Sequence, residues 1–130
     1  MIRRILIMAA FALAALVAFA EGPGIEFKDT KHDMGIIKAA DGKVTHKYEF
    51  TNPGTAPLVI KTAFGSCDCA KIKYPTKPIA PGSEGTISVT YDPRSKSGEV
   101  SATITVITNV KEAPRHKLLL IGAVVPKKKR

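Results

Sequence analysis

Tryptophan is missing from these 130 residues, and cysteine occurs only twice. Two cysteines cannot brace a disulfide-rich scaffold, so the fold has to stand on apolar burial. Beyond the first twenty residues, no window carries apolar side chains at i, i+3, i+4 and i+7, the pattern of an amphipathic helix. The motifs of common catalytic sites are missing too: no Gly-x-Ser-x-Gly elbow, no His-Glu-x-x-His and no glycine-rich phosphate loop. The three histidines, His32, His46 and His116, fall on three different expected strands, and the carboxylates are scattered. No catalytic group is assembled by spacing, and the chain reads as a non-enzyme. No N-glycosylation acceptor is present, because Asn52 precedes Pro53 and Asn109 is followed by Val110 and Lys111.

What is there begins with a leader. Arg3 and Arg4 precede an unbroken apolar run from Ile5 to Phe19, and Ala18-Phe19-Ala20 supplies the small-x-small pattern of a cleavage site. The run is shorter than the roughly 20 apolar residues a membrane-crossing helix needs. The expectation is a signal peptide over residues 1–20, with an uncleaved anchor as the alternative. Export then places the product in the periplasm or outside the cell, with no transmembrane segment in the mature chain.

The mature chain of 110 residues carries 18 Lys and Arg against 11 Asp and Glu, a net +7. Four of those charges are the last four residues, Lys127 to Arg130, read as a basic tail over 127–130. The body is mildly basic and mixed, without the cationic stripe and interleaved aromatics of a nucleic-acid binder. A single domain over residues 21–126 fits this length.

That domain reads as strands throughout. Val44, His46, Tyr48 and Phe50 alternate with Thr45, Lys47, Glu49 and Thr51 before the turn Asn52-Pro53-Gly54. Pro57 to Phe64 is expected to place Leu58, Ile60, Thr62 and Phe64 on one side. Ile87, Val89 and Tyr91 alternate with Thr86, Ser88 and Thr90, and Val100, Ala102, Ile104 and Val106 with Ser101, Thr103 and Thr105. Leu118 to Val125 is apolar on both faces, as a strand inside a sheet would be. Ile25 to Lys28 and His32 to Lys38 are weaker, and are expected as one broken edge strand. His46, in the apolar register, is expected half-buried; His32 and His116 are expected exposed at strand ends. About seven strands with a turn every 8 to 12 residues predict an all-β, immunoglobulin-like two-sheet β-sandwich, with a five-stranded closed barrel as the competitor.

The order of these signals is itself recognisable. Phe50-Thr51-Asn52-Pro53-Gly54, Leu58-Val59-Ile60, Ser66-Cys67-Asp68-Cys69 and Pro78-Ile79-Ala80-Pro81-Gly82 follow one another, then Ile87 to Tyr91, Gly98, Ile104 to Asn109 and Ile121-Gly122. The chain resembles the bacterial exported family catalogued as domain of unknown function 1573. The resemblance covers roughly residues 25 to 125. It implies an immunoglobulin-like sandwich of the major-sperm-protein and PapD-like group, and no established activity. Members typically carry Gly between the two cysteines, where this chain has Asp68.

Cys67-Asp68-Cys69 is the one stretch with distinctive chemistry. An oxidising compartment favours a disulfide between Cys67 and Cys69. The same thiolates could clamp a Cu or Zn ion, with Met34 or a histidine as a further ligand, or act as a redox dithiol. Closing so short a loop restrains the unfolded chain by only about 1.6 kcal/mol, so the bond should add little stability. Two function classes follow. One is a binding or assembly module that presents sheet edges and end loops to an envelope protein or surface polymer, with no cofactor. The other is a metal-binding or thiol-redox protein built on the Cys67–Cys69 loop. Intact-mass measurement of the exported protein should find Met1 to Ala20 removed and Glu21 first; a full-length chain in the membrane fraction would make it anchored.

Overall fold

Period-two sequence becomes strand almost wherever it occurs. The computed structural model describes residues 22–127; the leader, the cut before Glu21, and residues 128–130 of the basic tail lie outside the described residues. Eight strands run in order: β1 (Glu26–Phe27), β2 (Lys31–Lys38), β3 (Val44–Thr51), β4 (Ile60–Gly65), β5 (Ala70–Lys73), β6 (Glu84–Tyr91), β7 (Gly98–Thr108) and β8 (Arg115–Val125). A single 3₁₀ turn, Ala39–Asp41, is the one helical element among the described residues. The strands form two sheets, ordered β1-β3-β6-β5 and β2-β8-β7-β4. This is the expected two-sheet sandwich, not the closed barrel.

The core is what the alternation demands. Tyr48, Phe50, Ile87, Val89 and Tyr91 point inward from the first sheet, and Ala102, Ile104, Val106, Leu118 and Leu120 from the second, each no more than 1% exposed. Interdigitated inner faces of this kind make the single core of a sandwich. Tyr48 also ties the layers directly, its hydroxyl donating to the Leu119 carbonyl at 2.7 Å. Burial pushes the Tyr48 phenol up to about 12, so it stays a donor at any physiological pH. β8 lies between β2 and β7, inside its sheet as its two apolar faces required.

Two strand expectations need correction. Ile25 to Lys28 and His32 to Lys38 are not one broken strand. β1 pairs antiparallel with β3 and β2 pairs parallel with β8, so the chain crosses from one sheet to the other between Phe27 and Lys31. The exposed Asp29 and Thr30 make the crossing, where the Thr30 carbonyl accepts from Leu119 N–H at 2.8 Å. In β4 a register shift between Ile60 and Thr62 adds a residue against β7. Side chains past a bulge swap faces. Leu58 and Ile60 are therefore buried, but Ala63 turns toward the core and Phe64 is left 48% exposed. A second irregularity lies in β2 between Asp33 and Ile36, where Gly35 adopts φ 71° and its N–H is capped by Asp33 Oδ1 at 2.8 Å.

The turn after β3 is fixed by one amide. Asn52 is fully buried, and all four of its side-chain bonding positions are used. Its Oδ1 accepts from Gly24 N–H at 3.1 Å and Gly54 N–H at 2.9 Å; its Nδ2 donates to the carbonyls of Ala56 at 2.8 Å and Ile79 at 2.9 Å. The approach is so close that a Cβ on Gly54 would collide with the Gly22 carbonyl. Buried polar groups left unpaired cost about 1–3 kcal/mol each. Asn52→Ala should therefore destabilise by about 2–4 kcal/mol, water recovering part of the loss. Asn52→Asp should do at least as badly, since it sets a carboxylate against two carbonyls. Denaturant midpoints within experimental error of the parent would show that the amide is dispensable.

Candidate functional site

Three regions of the sandwich hold chemistry or surface that folding alone does not require. The first lies on the side where the chain changes sheets. β1 covers only the Phe50–Thr51 end of β3, so among the described residues the stretch from Val44 to Lys47 has no strand beyond it, and β2 is likewise an edge. Across this seam the rings of His32 and His46 stack, with centroids 3.5 Å apart and planes 3° from parallel. Tyr48 abuts His46 edge-on at 4.6 Å. His46 is half-buried as expected; His32 and His116 are half-buried too, not exposed. For His32 the reason is the stack, and His116 lies beside Phe27, ring centroids 6.1 Å apart, with a buried Nε2 that has no hydrogen-bond partner among the described residues.

Burial lowers the His46 pKa, the neighbouring His32 lowers it further, and Asp29 opposes both. The parallel planes leave no point in the plane of both rings, so this stack is not arranged as a metal clamp.

The second region is the cysteine loop. Cys67 and Cys69 form a close, half-buried pair with Cα atoms 5.2 Å apart, inside the range disulfides span. Extended residues two apart would stand roughly 6.5 Å apart, so the loop bends as the spacing required. No non-glycine residue among those described has positive φ, so Asp68 sits between the two cysteines without backbone strain. The pair opens on a shallow groove shared with Asp92, Arg94 and Lys96. Arg94 grips Asp92 at 2.7 Å through Nη2 and with two further Nε contacts, and this holds the Asp92 carboxyl below its ordinary range. Lys71 and Lys73 pair with Thr90 and Ser88 on β6 and do not line this groove. Met34 packs on Gly122, at the edge of the second sheet opposite β4. Among the described residues no three His, Cys, Asp or Glu side chains gather into a ligand set. A metal held by the two cysteines would need its further ligand from elsewhere.

The third region is a surface. The outer faces of the two sheets differ most along β8. On the first, β3 presents Thr45, Lys47 and Glu49, and β6 presents Thr86, Ser88 and Thr90. On the second, Leu119, Ile121 and Ala123 of β8 form an apolar spine, with Ile36 (79% exposed) beside Ala123 and Val125 (47%) beyond it; β7 presents Ser101, Thr103 and Thr105 between this spine and Phe64 (48%) on β4. Of these, Phe64 and Ile36 escape a sequence reading, because each follows a register shift.

A sequence-family model described as protein of unknown function (DUF1573) matches residues 25–124. The chain belongs to this family. No curated protein matches the chain in sequence. Among solved structures, the DUF1573 domain is similar to a protein of unknown function from Porphyromonas gingivalis W83, at 18% identity and a TM-score of 0.69, over 83% of this chain and 50% of that one. It is similar to PapD-like domain 7 of human CEP192, at 11% identity and a TM-score of 0.58, over 80% of this chain and 87% of that one. The periplasmic chaperone SfaE matches at 14% identity and a TM-score of 0.55, over 81% of this chain and 58% of that one. The chain thus spans about half the length of the Porphyromonas protein. At such identities the likeness establishes the fold, an immunoglobulin-like sandwich of the PapD-like kind, as the resemblance implied.

The seam has a measurable consequence. Because the folded state lowers the His46 pKa, it favours the neutral ring over the unfolded chain's value of about 6.5. That contribution is complete above about pH 6.5 and is lost as pH falls through the lowered value. Melting temperature should drop between pH 7.5 and 5, and His46→Gln should flatten that slope. An equal slope in the variant would remove the seam from the account.

Proposed function

We propose that this domain is a non-enzymatic binding or assembly module, and that the outer face of the β2-β8-β7-β4 sheet is where it takes its partner. The observation that carries this reading is the contrast between the two outer faces. One is the Thr, Ser, Lys and Glu of an ordinary solvated sheet; the other carries, beside the Ser101, Thr103 and Thr105 of β7, an apolar strip along β8 with Ile36 and Val125 standing out at its end, and Phe64 exposed beyond β7. Contiguous exposed apolar surface on a small domain marks an interaction site. Aliphatic side chains bury well against another protein and have little to offer a hydrated polymer, so we assign the partner to the proteins of the envelope. Lys31 and Lys117 beside Leu119, Asp33 beside Ile121 and Glu99 beside Ala123 supply the polar rim such interfaces carry.

Export rests on the leader, and the likeness to a periplasmic chaperone is compatible with it. Among the described residues no helix is long and apolar enough to cross a membrane. Edge pairing contributes less than the face. β2 carries Lys31, Asp33, a bulge and Lys38, and β5 is short with Lys71 and Lys73, all features that blunt strand addition.

The test is substitution on each face of the exported protein, followed by crosslinking in its own envelope. Ile36→Asp and Phe64→Asp change exposed side chains and should leave the melting temperature within a few degrees. Each should lower recovery of the crosslinked partner by tenfold or more, the effect of losing a contact worth about 1.4 kcal/mol. Ser88→Asp on the opposite face should recover it fully. Equal recovery from all three would reject this face as the interface.

A further inference from the structure

The Cys67–Cys69 pair does not hold together the loop it occupies. Ser66 N–H donates to the Thr103 carbonyl at 2.8 Å, and Thr103 N–H returns a bond to Ser66 Oγ at 2.9 Å, so the entry to the loop is stitched to β7. Ala70 N–H donates to the Cys67 carbonyl at 3.3 Å, which closes the turn through the backbone. Asp92 N–H donates to the Cys69 carbonyl at 2.7 Å, and Ala70 then continues into β5 opposite Tyr91. None of these contacts uses a sulfur atom.

A cross-link between residues two apart also lies at the bottom of the loop-length scale, where restraint of the unfolded chain is least. A disulfide that contributes so little to the fold is correspondingly easy to reduce, because fold stability is what keeps structural disulfides closed. Structural redundancy, a three-residue ring and a position on an open groove meet at one place.

We propose that Cys67 and Cys69 form a reversible thiol–disulfide exchange site whose substrates are dithiols of exported proteins. A thiolate of the substrate attacks one sulfur of the pair, forming a mixed disulfide and releasing the other cysteine as thiolate. The substrate's second thiolate then attacks its own sulfur in that mixed disulfide, which forms the substrate disulfide and releases the second cysteine. Two electrons pass from substrate to the pair, and the two substrate thiol protons end on Cys67 and Cys69. The reverse sequence, run by a protein disulfide of higher potential, restores the pair.

Lys96 is placed to help. It lines the groove and forms no salt bridge among the described residues, whereas Arg94 is occupied by Asp92. A cation beside a departing sulfur stabilises the thiolate. Asp68 lies between the sulfurs in sequence and opposes this, but it is exposed and screened by solvent. This site is independent of the apolar face on the second sheet.

The test uses the purified exported protein, equilibrated with mixtures of reduced and oxidised glutathione, then alkylated and weighed. The pair should titrate between disulfide and dithiol at glutathione ratios that leave a long-loop structural disulfide closed in a control protein. Melting temperatures of the two forms should differ by only a few degrees. A reduced synthetic dithiol peptide should be oxidised in a one-to-one amount, and Cys67→Ser or Cys69→Ser should abolish this oxidation; offered the same peptide in its disulfide form, each single-cysteine variant should instead accumulate a mixed disulfide with it. Lys96→Gln should slow the first exchange step several-fold with the fold unchanged. Recovery of the crosslinked envelope partner should be the same with both cysteines replaced by Ser, which separates this site from the binding face. A pair that resists every glutathione ratio, a fold that collapses on reduction, or two thiols that carry a metal ion and leave the peptide unoxidised would each overturn the proposal.

Discussion

Four backbone groups from three stretches of chain end on one buried amide, that of Asn52. Its oxygen takes the N–H groups of Gly24 and Gly54, and its nitrogen reaches the carbonyls of Ala56 and Ile79. Its own backbone bonds Ser83 and Gly82. The lead-in to β1, the turn after β3 and the approach to β6 therefore share one set of hydrogen bonds at the same end of the sandwich. A buried network of this kind is stabilising only when complete, and here it is. The neighbouring Pro53 and Gly54 follow from it: the amide draws the N-terminal segment onto the turn, and only a residue without a side chain fits where the segments touch.

Much of this architecture could be read before any coordinates. Side chains alternate on a strand whatever lies beside it, so Ile87, Val89 and Tyr91, and likewise Ala102, Ile104 and Val106, declare their face through local order alone. The two cysteines and the need for their loop to bend were equally local. What escaped depends on neighbours. Phe64 sits outside because of an extra residue against β7, and nothing within Pro57 to Phe64 announces it. His32 and His46 meet because the chain changes sheets between Phe27 and Lys31, which places two distant strands side by side. Asn52 looks like ordinary turn chemistry until its partners at Gly24 and Ile79 arrive from elsewhere in the chain.

The division of labour between the two sheets follows from the same facts. The β1-β3-β6-β5 sheet buries one face and solvates the other, as its Thr and Ser alternation dictates. In the β2-β8-β7-β4 sheet one of the two inner strands, β8, has apolar side chains on both faces, and only one face can be the core. The second is left with aliphatic surface that the described residues do not cover. The cysteine loop sits apart from that surface, after β4 and against the start of β5. Contact with a partner and chemistry at sulfur can therefore vary separately.

The parallel pairing of β2 with β8 also sets an order of events. Lys31 lies opposite Leu119 and Lys38 opposite Val125, so the second strand is completed by the last. Until residues beyond 115 have emerged, β2 has no neighbour to bond, and its inward side chains, Met34 and Ile37, have no lid. Long-range pairings of this sort must close a large loop before they return any energy, which makes them slow. A chain threaded across a membrane from its N-terminus would have β3, β4, β5, β6 and β7 outside while the sandwich is still open along one edge. In a chain so threaded, closure would wait for β8, and a product truncated before β8 would have an unfinished core.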